Sequence, residues 1–424
     1  MLAGLLVAVP TLAIAGNPQQ MPPVPPAPRV DVLVERALTQ APSLAARRAR
    51  VEAARAASRA AGTLPDPMIE FEYRDAGFPR YTIGSDPMSM AGASVRQTLL
   101  GKGRRQAQRD VAEAAIGRRR AEQDVLVADL ATAVRVQYAR LYAMDRERET
   151  LTSAGELVAM LEATVSSRYA AGQADQAGVL RIQLERTGIG QRLVDLAAER
   201  LAVQATLNRL TNDAPETPIG VVAELPPDSP LPASLVGASL PDAVTTAAPA
   251  VAMRSQEVNV AAKQADAARQ ELRPTWSVGG GVYWQGGFDR TVTVNVGVEL
   301  PFRKDRKQRP LIAAAEQEVR AAQLELQDAA AEVRAEAWRL VAAWQAAGEQ
   351  IERYRTAVLP QNTAAFEATR SSYLAGRGDF ASILEEFRRW VEVRTDLASR
   401  EAERYSARAR LDGLLGRVDP SVVQ

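Results

Sequence analysis

The residue types that carry most enzyme chemistry are missing from this chain. Its 424 residues include no His and no Cys. That excludes disulfides, thiolate and imidazole metal sites, and His-based acid–base catalysis. It also excludes a lipid anchor on Cys. Carboxylates and hydroxyls remain, but no Ser-x-x-Lys motif or paired-carboxylate constellation stands out against the charge pattern of the helices. Met88 and Met90, in Pro-Met-Ser-Met, are soft donors that can touch a cation in passing, but an extracellular loop with incidental Met accounts for them better. The expectation is a chain without catalysis, cofactor or resident metal.

What recurs with fixed spacing is a turn. Tyr169-Ala-Ala-Gly172-Gln173-Ala-Asp175 returns 204 residues later as Tyr373-Leu-Ala-Gly376-Arg377-Gly378-Asp379. Pro42 returns as Pro249 and Pro65 as Pro274, shifts of 207 and 209 in the same order. This is a duplicated unit, with a period far too long for a solenoid.

The elements that position these turns are mostly helical. Apolar residues make up 46% of the chain, but much of that is Ala and only 5% is aromatic, which favours long, closely packed helices over a bulky core. The net charge of +1 gives no electrostatic case for nucleic acid. Only four basic residues are Lys (Lys102, Lys263, Lys304, Lys307), a bias that fits genome composition. Residues 1–15 form an apolar run ending Ala13-Ile14-Ala15 and read as a secretory signal peptide, with an uncleaved anchor as the alternative. No basic segment precedes the run, so the expected start lies upstream of Met1. No later stretch has the length and apolarity of a transmembrane helix.

Residues 16–29 form a Pro-rich tether and 213–241 a Pro-rich linker between two repeats, 30–212 and 242–416, with a tail at 417–424. Each repeat is expected to read αββαα. A first helix spans Val30–Ala61 or Asp242–Leu272, and two short strands follow. A long rod comes next (about Gly103–Ala171 or Asp305–Ala375), then the turn, then a return helix (about Ala174–Leu210 or Phe380–Leu415). In the second rod Ile312, Val319, Leu326, Val333 and Leu340 recur every seven residues, with Ala315, Ala322 and Ala329 beside them. That is a coiled-coil seam on a rod of roughly 100 Å. Pro360 is expected to bend it; the first rod has Glu156 and Leu157 at that level. A plain coiled-coil stalk satisfies this pattern as well.

The strands alternate in polarity. Val292, Val294, Val296, Val298 and Leu300 share one face, and Thr291, Thr293, Asn295, Gly297 and Glu299 the other. Val278, Val282 and Trp284 oppose Ser277, Gly279 and Tyr283. Ile69, Phe71 and Tyr73 alternate with Glu70, Glu72 and Arg74, and Ala91, Ala93, Val95, Gln97 and Leu99 with Gly92, Ser94, Arg96 and Thr98. Such segments suit a transmembrane β-barrel, with Trp276, Tyr283, Trp284, Phe288 and Phe302 as its aromatic girdle. A soluble antiparallel sheet with one wet face fits too. In lipid, four strands cannot close and an open edge cannot stay unpaired, so chains must combine. Three chains would supply twelve strands.

The duplicated αββαα unit and the paired Tyr-x-Ala-Gly-x-x-Asp turns resemble the TolC-type outer membrane efflux proteins. So do Leu-Pro-Asp-Pro67 before the first strand and Val-Glu-Leu-Pro-Phe302-Arg-Lys after the last, and the likeness runs from about residue 30 to 416. The resemblance implies a mainly α fold with membrane β. It implies a homotrimer with a 12-strand β-barrel in outer-membrane lipid, continuous with a 12-helix periplasmic tunnel. The implied function is the passive exit duct of a tripartite efflux pump or a type I secretion system. The implied partners are a periplasmic adaptor (membrane fusion) protein and an inner-membrane efflux pump.

By the same resemblance the turns form the periplasmic tip. The adaptor contact then falls on Tyr169, Gly172, Gln173, Asp175, Tyr373, Gly376, Arg377 and Gly378. The gate falls on Asp379, Glu385 and Glu386. The family's two acids past the second turn would fall at Ser382 and Glu385, so the carboxylate ring is thinner here than usual. Three symmetry-related carboxylates would make a cation-selective throat; a solvated helix face is the other reading of Glu385 and Glu386. The competing class is a periplasmic coiled-coil adaptor or scaffold, which should show one helical hairpin and several small β domains.

Overall fold

The fold follows from where the prolines and the β-branched runs fall. A computed structural model describes residues 26–418, apart from 76, 174, 229, 233, 234, 236 and 288. The expected signal peptide, most of the tether, Ala174, Phe288 and residues 419–424 lie outside the described residues.

The first helix of each repeat is two helices, a departure from the single helix expected. Helices α1 (Val30–Gln40) and α2 (Pro42–Ala60) open the first half. Helices α5 (Leu240–Ala247) and α6 (Pro249–Gln270) open the second. Pro42 and Pro249 disfavour helical backbone at the residue before them, so Ala41 and Ala248 are extended and each Pro begins a new helix.

The four strands form one antiparallel sheet in the order β1 (Met68–Arg74), β2 (Met90–Leu99), β3 (Thr275–Trp284) and β4 (Thr291–Glu299). Facing partners lie on the same side, so the register decides the faces. Phe71 faces Ala93, which faces Val282, which faces Val292; Ile69 faces Val95, Gly280 and then Val294. The alternation of all four strands therefore falls in phase. Apart from Gln97, one side is apolar and bare, with Val294 79% and Phe71 85% exposed.

Tyr283 departs from its expected girdle position. It lies on the polar side, 3% exposed, with its hydroxyl donating to Glu72 Oε2 at 3.0 Å. Gly92 makes room for it, because a Cβ there would meet the Tyr283 ring at 2.4 Å.

Strands β2 and β4 run in the same direction, so both rods leave the sheet at one end. The first rod is α3 (Lys102–Ala170), returned by α4 (Gln176–Thr211). The second contains α7 (Arg309–Arg353) and α8 (Leu359–Leu374), returned by α9 (Phe380–Leu414). A wider π-helical turn precedes each of α7 and α8, at Lys304–Gln308 and Tyr354–Val358. Pro310 and Pro360 follow these turns by two residues. A proline ring crowds the carbonyl four residues earlier, here Arg306 and Thr356, and the π turn is where that crowding is relieved.

Burial along α7 follows the seven-residue seam. Val333, Leu340 and Ala347 are buried, with Ala330, Ala337, Val341 and Ile351 filling the stripe. In α3, Ala107, Ala114, Ala121 and Ala128 repeat the spacing with small residues. The 213–241 segment is packed onto the rods: Ile219 and Val222 join the core of α1, α3 and α4, and Leu235 joins that of α5, α7 and α9.

Candidate functional site

The two turns are one device built twice. After α3, Gly172 takes φ +71°, and the Gln173 N–H donates to Arg168 O at 2.8 Å. After α8, Gly376 takes φ +76°, and the Arg377 N–H donates to Ser372 O at 3.0 Å. Left-handed backbone explains the glycine at each site, and the six-to-one bond closes the helix end. Each Asp then starts the return helix. Asp175 Oδ1 accepts from the Gly178 N–H at 2.9 Å, and Asp379 Oδ1 from the Ser382 N–H at 2.7 Å. These bonds, with the Ser382 hydroxyl on Oδ2 at 3.0 Å, hold the Asp379 carboxyl below the usual carboxylate range. Asp379 thus has both oxygens engaged in capping.

The tyrosines differ between the halves. Tyr169 is exposed while Tyr373 is buried, its ring 6.1 Å from Phe380. Arg168 stands 4.5 Å from the Tyr373 ring centre and donates to Tyr373 O at 2.6 Å and Leu374 O at 3.1 Å. Burial raises the Tyr373 phenol above its ordinary value, against the pull of Arg168. A second tie joins the hairpins nearby, from Arg388 of α9 to Glu185 of α4 at 2.6 Å. Sequence reasoning missed both. The signal was available for Arg168, because the repeat places Ser372 opposite it.

Replacing Arg168 by Ala is expected to loosen the α8 end by about 1.5–3 kcal/mol, the range for hydrogen bonds that involve a charged group. Hydrogen exchange over residues 371–379 should rise by that amount while the rest of α9 stays unchanged. Unchanged exchange would show that the clasp holds nothing.

Glu385 and Glu386 sit side by side on α9 and so point about 100° apart. Glu385 is exposed, Glu386 is half-buried, and neither forms an ion pair with the described residues. Glu385 shares a surface hollow with Glu392 but also with Arg181, Arg388 and Arg389, so the local field is mixed in sign. Below the tip the core is aromatic, with Phe366 6.4 Å from Phe387 and 6.0 Å from Trp390. Gln173, Arg377, Gly378 and the exposed Tyr169 form the outer surface of the tip, and the structure brings both turns to the same end of the bundle.

Residues 240–417 match the family model described as outer membrane efflux protein. No curated protein matches the chain. Among solved structures, the outer membrane protein VceC from Vibrio cholerae is 16% identical with a TM-score of 0.77, over 91% of this chain and 96% of that one. The Campylobacter jejuni CmeC outer membrane channel is 10% identical with a TM-score of 0.78, over 98% and 94%. The open state of the Neisseria gonorrhoeae MtrE outer membrane channel is 17% identical with a TM-score of 0.74, over 92% and 89%. Residues 240–417 are thus similar to the outer membrane efflux protein family, and the chain along nearly its whole length has the fold of VceC, CmeC and MtrE.

Proposed function

We propose that this chain is the outer-membrane exit duct of a tripartite efflux pump, passing substrates from a periplasmic pump complex to the exterior. The observation that carries this reading is the sheet: apolar and bare on one side apart from Gln97, polar on the other, with two unpaired edges. An open edge is not tolerated in hydrocarbon, so β4 of one copy pairs with β1 of the next. Three copies close twelve strands into a barrel in outer-membrane lipid.

The helices support the same assembly. On α4, Ile182, Ile189, Leu196 and Val203 are buried, while Leu180, Val194 and Leu201, fourteen and then seven residues apart, lie on an exposed face with Leu184. A second apolar stripe on a rod fits a neighbouring rod, and twelve such helices make the periplasmic tunnel. Two helical hairpins and one sheet count against the adaptor reading. Size measurement of the detergent-extracted protein should give three chains per particle; a monomer would count against the duct.

The remaining roles rest on the tip. Tyr169, Gly172, Gln173, Asp175, Gly376, Arg377 and Gly378 offer the surface for a periplasmic adaptor protein, with the buried Tyr373 backing it from within, and the adaptor links the duct to an inner-membrane efflux pump. Glu385 and Glu386, with Asp379 holding the start of α9, make the gate. Glu385→Ala with Glu386→Ala should weaken block of the channel by multivalent cations several-fold. Block at the same concentration in both proteins would remove these residues from the gate.

A further inference from the structure

We propose that the junction between strands and rods carries a basic collar that binds anionic phospholipid headgroups in the leaflet on the rod side. The inference rests on the outer-membrane reading above. Residues 102–109 and 303–309 hold nine of the 52 basic residues of the chain and one acid, Asp305. The whole chain carries a net charge of only +1, so this excess is local. Three of its four lysines, Lys102, Lys304 and Lys307, fall in these two short stretches. Because β2 and β4 run the same way, both stretches lie at the same end of the sheet.

Most arginines along the rods are spoken for. Near the junction, Arg104 bonds Thr275 Oγ1 at 2.8 Å and pairs with Glu271, Arg309 pairs with Asp305 at 2.6 Å, and Arg269 with Glu316 at 2.8 Å. Lys102, Arg303, Lys304, Arg306 and Lys307 are exposed, and their side chains have no partner among the described residues. Five unpaired cations in one collar repel each other unless anions lie against them.

The apolar side of the sheet ends at the same level. Leu99, Trp276 and Val298 face one another across β2, β3 and β4 in its last apolar row. Phe302 follows, 86% exposed, and the cations begin at the next residue. Aromatic residues followed at once by long cationic side chains make an interfacial anchor: the rings sit at headgroup depth and the charged ends reach the phosphates. A zwitterionic headgroup has no net charge to attract them, whereas an anionic one draws in each Lys or Arg near the surface. Lysine and arginine alike have stems long enough for such reaching.

The test uses the full chain, reconstituted in vesicles of phosphatidylcholine with phosphatidylglycerol and released in mild detergent. Native mass spectrometry then counts the lipids retained. Phosphatidylglycerol should be enriched about tenfold or more over its share of the bilayer, less so at high salt. The variant K102Q/R303Q/K304Q/R306Q/K307Q should lose that enrichment, and K102R/K304R/K307R should keep it. Inorganic phosphate at millimolar concentration should not displace the lipid; displacement would mean a free-anion site and overturn the collar. Insertion of both proteins with equal lipid counts would overturn the collar and leave the duct reading standing. No insertion into any vesicle would overturn both.

Discussion

Replacing Asp145 by Ala is expected to cost about 3–5 kcal/mol of folding stability, the range for removing one partner of a buried ion pair. The Asp145 side chain is 1% exposed and meets Arg200 of α4 through Nε at 2.7 Å and Nη2 at 3.2 Å. Arg148 approaches the same carboxylate at 3.7 Å. Asp145 also accepts the Val222 N–H at 2.9 Å, while Arg200 Nη2 donates to Ile219 O at 3.1 Å and Gly220 O at 2.9 Å. One ion pair thus fastens the inter-repeat segment across α3 and α4. Without the carboxylate, a nearly enclosed guanidinium loses its counter-charge and a buried N–H its acceptor.

The cost belongs to the orphaned groups, so Asp145→Leu with Arg200→Met together should cost far less than Asp145→Ala alone. Asp145→Asn keeps an acceptor and should fall between. Denaturant midpoints of the three variants check the order. A loss below about 1 kcal/mol for Asp145→Ala would show that the segment is held by its apolar contacts, through Ile219 and Val222.

The second large effect is on the sheet. Val294→Arg places a charge at the middle of the bare apolar face and should cost about 2–4 kcal/mol of membrane assembly. Asn295, its neighbour in β4, lies on the other side, and Asn295→Arg should assemble almost normally. The contrast between adjacent residues is the diagnostic, because general damage to β4 would affect both alike. Yield of heat-stable oligomer in membranes measures it. Equal yields would show that the valine side does not meet lipid.

The helical seam and the strand alternation were legible because both are periodic, and periodicity is what burial imposes. Val333, Leu340 and Ala347 lie on the predicted stripe and are buried. The repeat made the two turns legible, since Gly172 and Gly376 answer the same demand for left-handed backbone. What was missed depends on packing between distant segments or on single residues. Pro42 and Pro249 break a helix at the preceding alanine, a single-residue effect that the repeat pattern does not announce. Residue type alone puts Tyr283 in a girdle, whereas its alternation with Val282 and Trp284 puts it on the polar side. The Pro360 bend was expected from ring sterics, and the π turn at Tyr354–Val358 is the local form that this crowding takes. Asp145 had no signal at all: one Asp among 51 acidic residues becomes special only when Arg200 and residues 219–222 fold over it.

At the tip, the carboxylates Glu385 and Glu386 were visible in the sequence, but the arginines around Glu385 were not. Arg181 lies on a different hairpin, and no spacing along the chain announces that approach. The Arg168–Tyr373 clasp has the same origin, with 205 residues between its partners.

Conductance in planar bilayers tests the central claim most directly. Protein extracted in detergent and added to one side should insert as a trimer and give steady, ohmic single-channel steps. Protein that remains a soluble monomer and leaves the bilayer silent would contradict the duct.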